Sequence, residues 1–187
     1  MSKSTIFIVI IVALGFLGIN SLFTMSEKQQ GLVLQFGEPK RVIKDSGLHV
    51  KLPIIQNTVK YDKRILEYDL PIEEVIAVDK KRMLLDSFTR FKITDPLEFY
   101  KTVGNESNVR NRLNSNVISS LRRVVGRVTL DELLSEERSK IMEDIKLEVN
   151  NEASRFGIEI VDVRIRRADL PEANSQAIYE RMISERV

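Results

Sequence analysis

An α+β domain behind an N-terminal membrane-spanning helix is the fold class this sequence predicts, and three observations predict it. The chain opens on an uncharged apolar run. Short segments that alternate apolar and polar residues follow, and apolar residues then recur every fourth position over two long stretches.

The apolar run, Ile6 to Phe23, reads IFIVIIVALGFLGINSLF, eighteen residues without a charge. At about 1.5 Å per residue such a helix covers most of a roughly 30 Å hydrocarbon core. The anchor residues are Ile6, Phe7, Ile8, Val9, Ile10, Ile11, Val12, Leu14, Phe16, Leu17, Ile19, Leu22 and Phe23, with Asn20 and Ser21 near one interface. A cleavable signal is the competing reading. Its apolar region runs about 7–15 residues and ends at a small-x-small site, whereas this run is longer and Asn20-Ser21-Leu22 is a poor site. A retained signal-anchor over residues 1–25 is expected. Lys3 and the terminal amine precede the span while Lys28, Lys40, Arg41 and Lys44 follow it, so charge bias alone does not orient it.

Beyond the anchor, Gly31 to Phe36 reads as a strand closed by the turn Gly37-Glu38-Pro39, and Leu48 to Leu52 alternates until Pro53 stops it. Further strands are predicted at Thr58–Tyr61, Ile65–Leu70 and Val75–Val78. The last joins through Asp79-Lys80-Lys81-Arg82 to a long strand, Met83 to Ile93, as a hairpin. In that strand Leu85, Ser87, Thr89, Phe91 and Ile93 share one face, and Asp86, Phe88, Arg90 and Lys92 the other. Asp95-Pro96 ends it.

Val109, Leu113, Val117, Leu121 and Val125 form a helical stripe from Asn108 to Val125, with Gly126 as its stop. A second helix starts at the capping box Thr129-Leu130-Asp131-Glu132. It carries Ile141, Ile145, Val149 and Ala153 on one face and ends at Phe156-Gly157, where glycine supplies a left-handed turn. Ile158 to Arg166 alternates again, with Arg164 and Arg166 facing away from the apolar side. Asp169-Leu170-Pro171-Glu172 then opens a third helix, with an acid at its cap and proline in its first turn.

Composition removes several functions. The 29 basic and 27 acidic residues are interspersed and leave a net charge of +2, so no single-sign field exists to hold nucleic acid. The absence of cysteine excludes disulfides, thiolate metal sites and a cysteine nucleophile. His49 is the only histidine and sits in an alternating strand, where a structural role outweighs a ligand or base. No Gly-x-Ser-x-Gly is present, no Ser-x-x-Lys stands at a helix start, and the eight glycines form no phosphate loop. Glu73-Glu74, Asp131-Glu132 and Glu136-Glu137 fall at turns and helix starts, where acids favour the helix dipole. The basic groups Arg122-Arg123 with Arg127, and Arg164-Arg166-Arg167, alternate with apolar residues as a solvated face or as inter-subunit ion pairs. Nothing in the composition suggests a cofactor.

Three stretches together resemble the band-7, or SPFH, superfamily of stomatin, prohibitin and flotillin. Gln30 to Gly37 followed by Ser46-Gly47-Leu48-His49-Val50-Lys51-Leu52-Pro53 is similar to its opening signature. There a strand ending in Phe-Gly leads to Pro-Gly-Leu-His-Phe-Lys-Ile-Pro. Asp79 to Met83 with Phe91 to Pro96 resembles the family hairpin, and Val161 to Pro171 the strand that hands over to a C-terminal helix. Tyr179 to Arg186 is similar to the Arg-Met-x-x-Glu-Arg start of the coiled coil in a bacterial branch of the superfamily. Ser46 and Val50 depart from the usual proline and phenylalanine, and the sequence stops at Val187, before the long coiled coil such proteins carry.

The resemblance implies an SPFH domain of antiparallel-rich sheet with packed helices over residues 26–170. The start of a coiled-coil helix follows over 171–187. It implies a single-pass protein of the bacterial inner membrane with its domain on the periplasmic side. It further implies a hetero-oligomer with an HflK-like subunit, in a ring or cage enclosing an FtsH-like membrane protease, and a regulator without catalysis, cofactor or metal. Leu48, Val50, Leu52 and Pro53 are expected at the membrane-proximal surface, and Arg164, Arg166, Glu180, Arg181, Glu185 and Arg186 at subunit contacts. The alternatives are a lipid-domain organiser of the stomatin or flotillin type and a membrane-bound serine peptidase.

Overall fold

A computed structural model describes residues 20–135 and 137–169, with Gly15 and Gly18. The expected anchor positions from Ile6 to Ile19, apart from the two glycines, lie outside the described residues. So do Glu180, Arg181, Glu185, Arg186 and the helix expected from Pro171. Gly15, Gly18, Asn20 and Ser21 are helical. Among the described residues no helix is long and apolar enough to cross a membrane.

The chain divides into two compact units, one reaching Arg64 and including Ile93–Glu98, the other formed by Ile65–Lys92 and the residues from Phe99 onward. In the first, β1 (Leu22–Met25) pairs antiparallel with β4 (Gly47–Val50). Leu22 and Phe23 therefore belong to a strand and not to the end of the apolar helix, which corrects the expected span. Hydropathy alone does not separate the end of an apolar helix from a short apolar strand that continues it. The backbone pairing with Val50 and His49 does.

The central strand β2 (Gln29–Gln35) lies between β3 (Glu38–Ile43) and β5 (Gln56–Asp62), antiparallel to both. Strand β3 starts inside the turn expected over Gly37-Glu38-Pro39 and extends to Ile43, beyond any strand expected there. Proline is tolerated at position 39 because β3 is an edge strand. Met25, Val33 and Ile43 form a buried cluster with Phe23 packed against it. The buried Gln30 donates its side-chain amide to the Ile93 carbonyl, so its polar group is not orphaned.

In the second unit, β8 (Arg82–Ile93) is flanked along one edge by β6 (Leu66–Asp69) and β7 (Glu73–Ile76), and along the other by β9 (Ile158–Asp169). The alternation read from sequence holds, since Leu85, Ser87, Thr89, Phe91 and Ile93 are all buried. Asp95 ends β8 and also caps an unforeseen helix, α1 (Pro96–Thr102). Its Oδ1 accepts from the Leu97 and Glu98 amides at 2.9 and 3.2 Å.

Helix α2 (Glu106–Val125) buries Val109, Leu113, Val117, Leu121 and Val125, the predicted stripe, each side chain contributing about 1.5–3 kcal/mol. The second predicted helix is two. Thr129 and Glu132 form the expected capping box, but α3 (Leu130–Leu134) stops at Ser135, whose extended backbone breaks the helix before α4 (Arg138–Ala153). Helix α4 packs Ile141, Ile145, Val149 and Ala153 against α2 and β9. After a 3-10 turn, Ser154–Phe156, Gly157 takes the left-handed conformation at φ 69.

Candidate functional site

The β1–β4 ribbon has two unlike faces because its residues alternate. Phe23 and Met25 point into the core of the first unit, while Leu22, cross-strand from Val50, and Thr24, cross-strand from Leu48, lie on the other face. Leu48 is 65% exposed, Val50 58% and the following Leu52 55%, and Pro53 is half-buried in the next turn. The expected surface residues are therefore brought together as one exposed apolar strip. His49 faces the opposite way, its ring 5.7 Å from that of Phe23 and its Nε2 donating to the Asp45 carbonyl at 3.0 Å. Those contacts make it structural.

The most exposed apolar residues of this unit were not foreseen. Phe36 is 83% exposed at the β2–β3 turn and Ile54 92% exposed in the turn before β5. Both hold left-handed backbone, at φ 52 and 73, which costs a non-glycine residue about 1–2 kcal/mol and is least natural for a β-branched one. The signal available was a pair of consecutive isoleucines after a proline, and a phenylalanine beside a turn glycine, at positions where polar residues are normal.

These residues share one end of the unit. Gln35 is paired with both Glu38 and Gln56, which places the Phe36 turn beside the start of β5. The Leu52 amide donates to Gln56 Oε1 at 2.8 Å, the Lys51 amide donates to the Ser21 carbonyl at 2.8 Å, and Arg41 donates to the Val50 carbonyl. The ends of β2 and β4 and the starts of β1, β3 and β5 thus converge where the chain leaves its N-terminal apolar run. An exposed apolar cluster of this kind marks an interaction surface.

The second unit carries a charged face on β6, β8 and β9. Arg166 reaches from β9 over the Phe88 ring, 5.1 Å from its centroid, to the Asp69 carboxylate on β6, with Asp86 3.9 Å away. Arg90 lies 5.3 Å from the same ring and donates Nε to Glu67 at 2.8 Å. The Asp69 hydrogen bond, with smaller contributions from Asp86 and Glu67, raises the Arg166 pKa above its ordinary value, so the guanidinium stays charged. Arg164 lies on the same strand face and pairs with Asp162 at 2.7 Å.

Arg166 is thus engaged within its own subunit. An exposed pair of this kind contributes about 0.2–1 kcal/mol. A double-mutant cycle of Arg166→Gln and Asp69→Asn is expected to return a coupling energy inside that range. The coupling should shrink in high salt, and a value several times larger would mean the pair is desolvated.

Other predicted charged groups also close internally. Glu73 and Glu74 lie in β7, not at a turn, because Val75 must reach the core from that strand. Glu73 meets Arg122 at 2.9 Å and Glu74 meets Arg82 at 3.4 Å, while Arg123 pairs with Glu148.

The profile of the SPFH domain / Band 7 family matches residues 23–187. Protein HflC of Haemophilus influenzae is 32% identical over 178 residues, 89% of this chain and 60% of that protein. Protein HflC of Buchnera aphidicola subsp. Schizaphis graminum is 30% identical over 189 residues, 89% of this chain and 62% of the relative. The Escherichia coli K12 protein named Modulator of FtsH protease HflC is 26% identical over 233 residues, covering 100% of this chain and 69% of its own length. The chain spans about three fifths of the length of the first two. With a matched region that begins at Phe23 in β1 and takes in both units, the chain belongs to the SPFH domain / Band 7 family and is of HflC type.

Proposed function

We propose that this chain is a membrane-anchored scaffold subunit that assembles with an HflK-like partner into a ring or cage and controls substrate access to an FtsH-like membrane protease. The three-part organisation is an anchor over residues 1–25, the SPFH domain over 26–170 and the start of a coiled-coil helix over 171–187. The domain lies on the periplasmic side of the inner membrane.

The observation that carries the reading is the apolar end of the first unit. Leu22, Phe36, Val50, Leu52 and Ile54 gather where the chain leaves the apolar run, as a surface resting on a bilayer requires. The protease enters through the name of the Escherichia coli relative, a modulator of FtsH. Leu48, Val50, Leu52 and Pro53 then form the membrane-proximal surface. Arg164, Arg166, Glu180, Arg181, Glu185 and Arg186 form the subunit contact.

The test is the native mass of the full-length protein gently extracted from its own membrane, with mass spectrometry of co-migrating proteins. A megadalton-scale particle containing an HflK-like subunit and an FtsH-like protease is the expected result. A small species lacking both would overturn the scaffold reading in favour of a lipid-domain organiser, which the same apolar surface would serve.

A further inference from the structure

We infer that the first unit carries a binding site for the phosphate of an anionic phospholipid headgroup, in the cleft lined by Lys40, Arg41 and Lys51 beneath the apolar lips Val50 and Leu52. The inference rests on the membrane-anchored reading and adds a ligand to it.

The cleft encloses about 310 Å³, and Val33 and Gln56 complete its wall. Three basic side chains from two separate segments meet there, on β3 and just after β4, and their charge is largely unanswered. Lys40 meets Glu38 at 3.2 Å. Among the described residues Arg41 and Lys51 meet no carboxylate. Arg41 uses one guanidinium nitrogen on the Val50 carbonyl, which anchors it and leaves further N–H donors of a five-donor fork. The Lys51 ammonium lies 6.0 Å from the Phe23 ring centroid. Of the three cations only Lys40 has a carboxylate beside it, and a planar guanidinium beside two ammonium groups suits a tetrahedral phosphate.

Two features favour a lipid phosphate over a free one. Val50 and Leu52 are apolar and exposed and line the same cleft as the three basic residues, so a ligand with an acyl body meets both kinds of group. The Lys51 amide also bonds to the Ser21 carbonyl, near the end of the apolar run, which sets the cleft at headgroup depth if that run spans the bilayer.

The experiment is native mass spectrometry of the full-length protein in a neutral detergent, titrated separately with dioctanoyl phosphatidylglycerol, dioctanoyl phosphatidylcholine and inorganic phosphate. Phosphatidylglycerol is expected to bind saturably and at least about tenfold more tightly than the other two. Lys40→Gln with Lys51→Gln should lose about tenfold or more of that affinity, Lys51→Arg should keep it, and Lys60→Gln, a lysine outside the cleft, should leave it unchanged. Equal binding of phosphatidylcholine, equal binding of inorganic phosphate, or indifference to the double substitution would each overturn the assignment. Carbonate extraction of the parent protein from native membranes tests the anchor separately, because release by carbonate would remove the anchor reading whatever the headgroup titration gives.

Discussion

Gly31→Val is expected to lower the stability of the first unit by about 3 kcal/mol or more, seen as a large drop in the unfolding midpoint of the detergent-solubilised protein. Gly31 lies in the middle of β2, opposite Ile43 on β3 and Lys60 on β5. A Cβ built there would stand 2.2 Å from the Val59 carbonyl oxygen and 3.1 Å from its carbon. The obstacle is main chain on the neighbouring strand, so no side chain can rotate to make room and β2 must part from β5. Overpacking of a well-packed site costs about 1–3 kcal/mol by itself, and each ladder hydrogen bond lost adds about 1 kcal/mol. Gly31→Ala shares the clash and should show most of the loss. An unchanged midpoint in both variants would mean that β2 and β5 do not approach this closely.

That glycine also marks where sequence reading runs out. The patterns that could be read were periodic ones. Strand β8 alternates over its whole length because one face meets the core, and α2 repeats every fourth residue because a single stripe is buried. Thr129 with Glu132, and Gly157, are local devices whose chemistry is set within four residues. What escaped was context. Leu22 and Phe23 continue an apolar run and become a strand only because β4 supplies hydrogen bonds. Strand β3 is polar, mostly exposed and interrupted by Pro39, so its extended form depends on β2. The break between α3 and α4 interrupts a stretch of continuous helix formers, and only Ser135 marks it.

The candidate site divides in the same way. Leu48, Val50 and Leu52 are exposed, although alternation along β4 by itself announces only a strand with one apolar face. Phe36 and Ile54 did not emerge, because strand periodicity says nothing about a turn residue and the tertiary pairing of Gln35 with Gln56 is what brings their turns to one end of the unit. The outward face of the arginines was legible on β9, while the Arg166 guanidinium crosses Phe88 to an aspartate 97 residues earlier in the chain, a partner no local pattern announces.

Phe36→Asp combined with Ile54→Asp is expected to weaken strongly the proposed contact between the first unit and the bilayer while leaving its fold intact. The chain contains no tryptophan, so a Leu52→Trp reporter in the full-length protein, reconstituted into vesicles of brominated phospholipid, gives a signal from this end alone. With Phe36 and Ile54 present the reporter should be strongly quenched; with both replaced the quenching should fall to a small fraction of that value. The size of the effect follows from exposure. Side chains 83% and 92% exposed gain about 1.5–3 kcal/mol each on leaving water for an apolar phase, and a carboxylate in that phase is opposed by about as much again. Unfolding is not a competing cause, because aspartate visits the left-handed backbone more readily than phenylalanine or isoleucine. At φ 52 and 73 the double variant should therefore melt no lower than the reporter parent. A reporter that is not quenched in the parent would remove this end of the unit from the membrane, and quenching undiminished by both aspartates would assign the contact to Leu22, Val50 and the reporter position without Phe36 or Ile54.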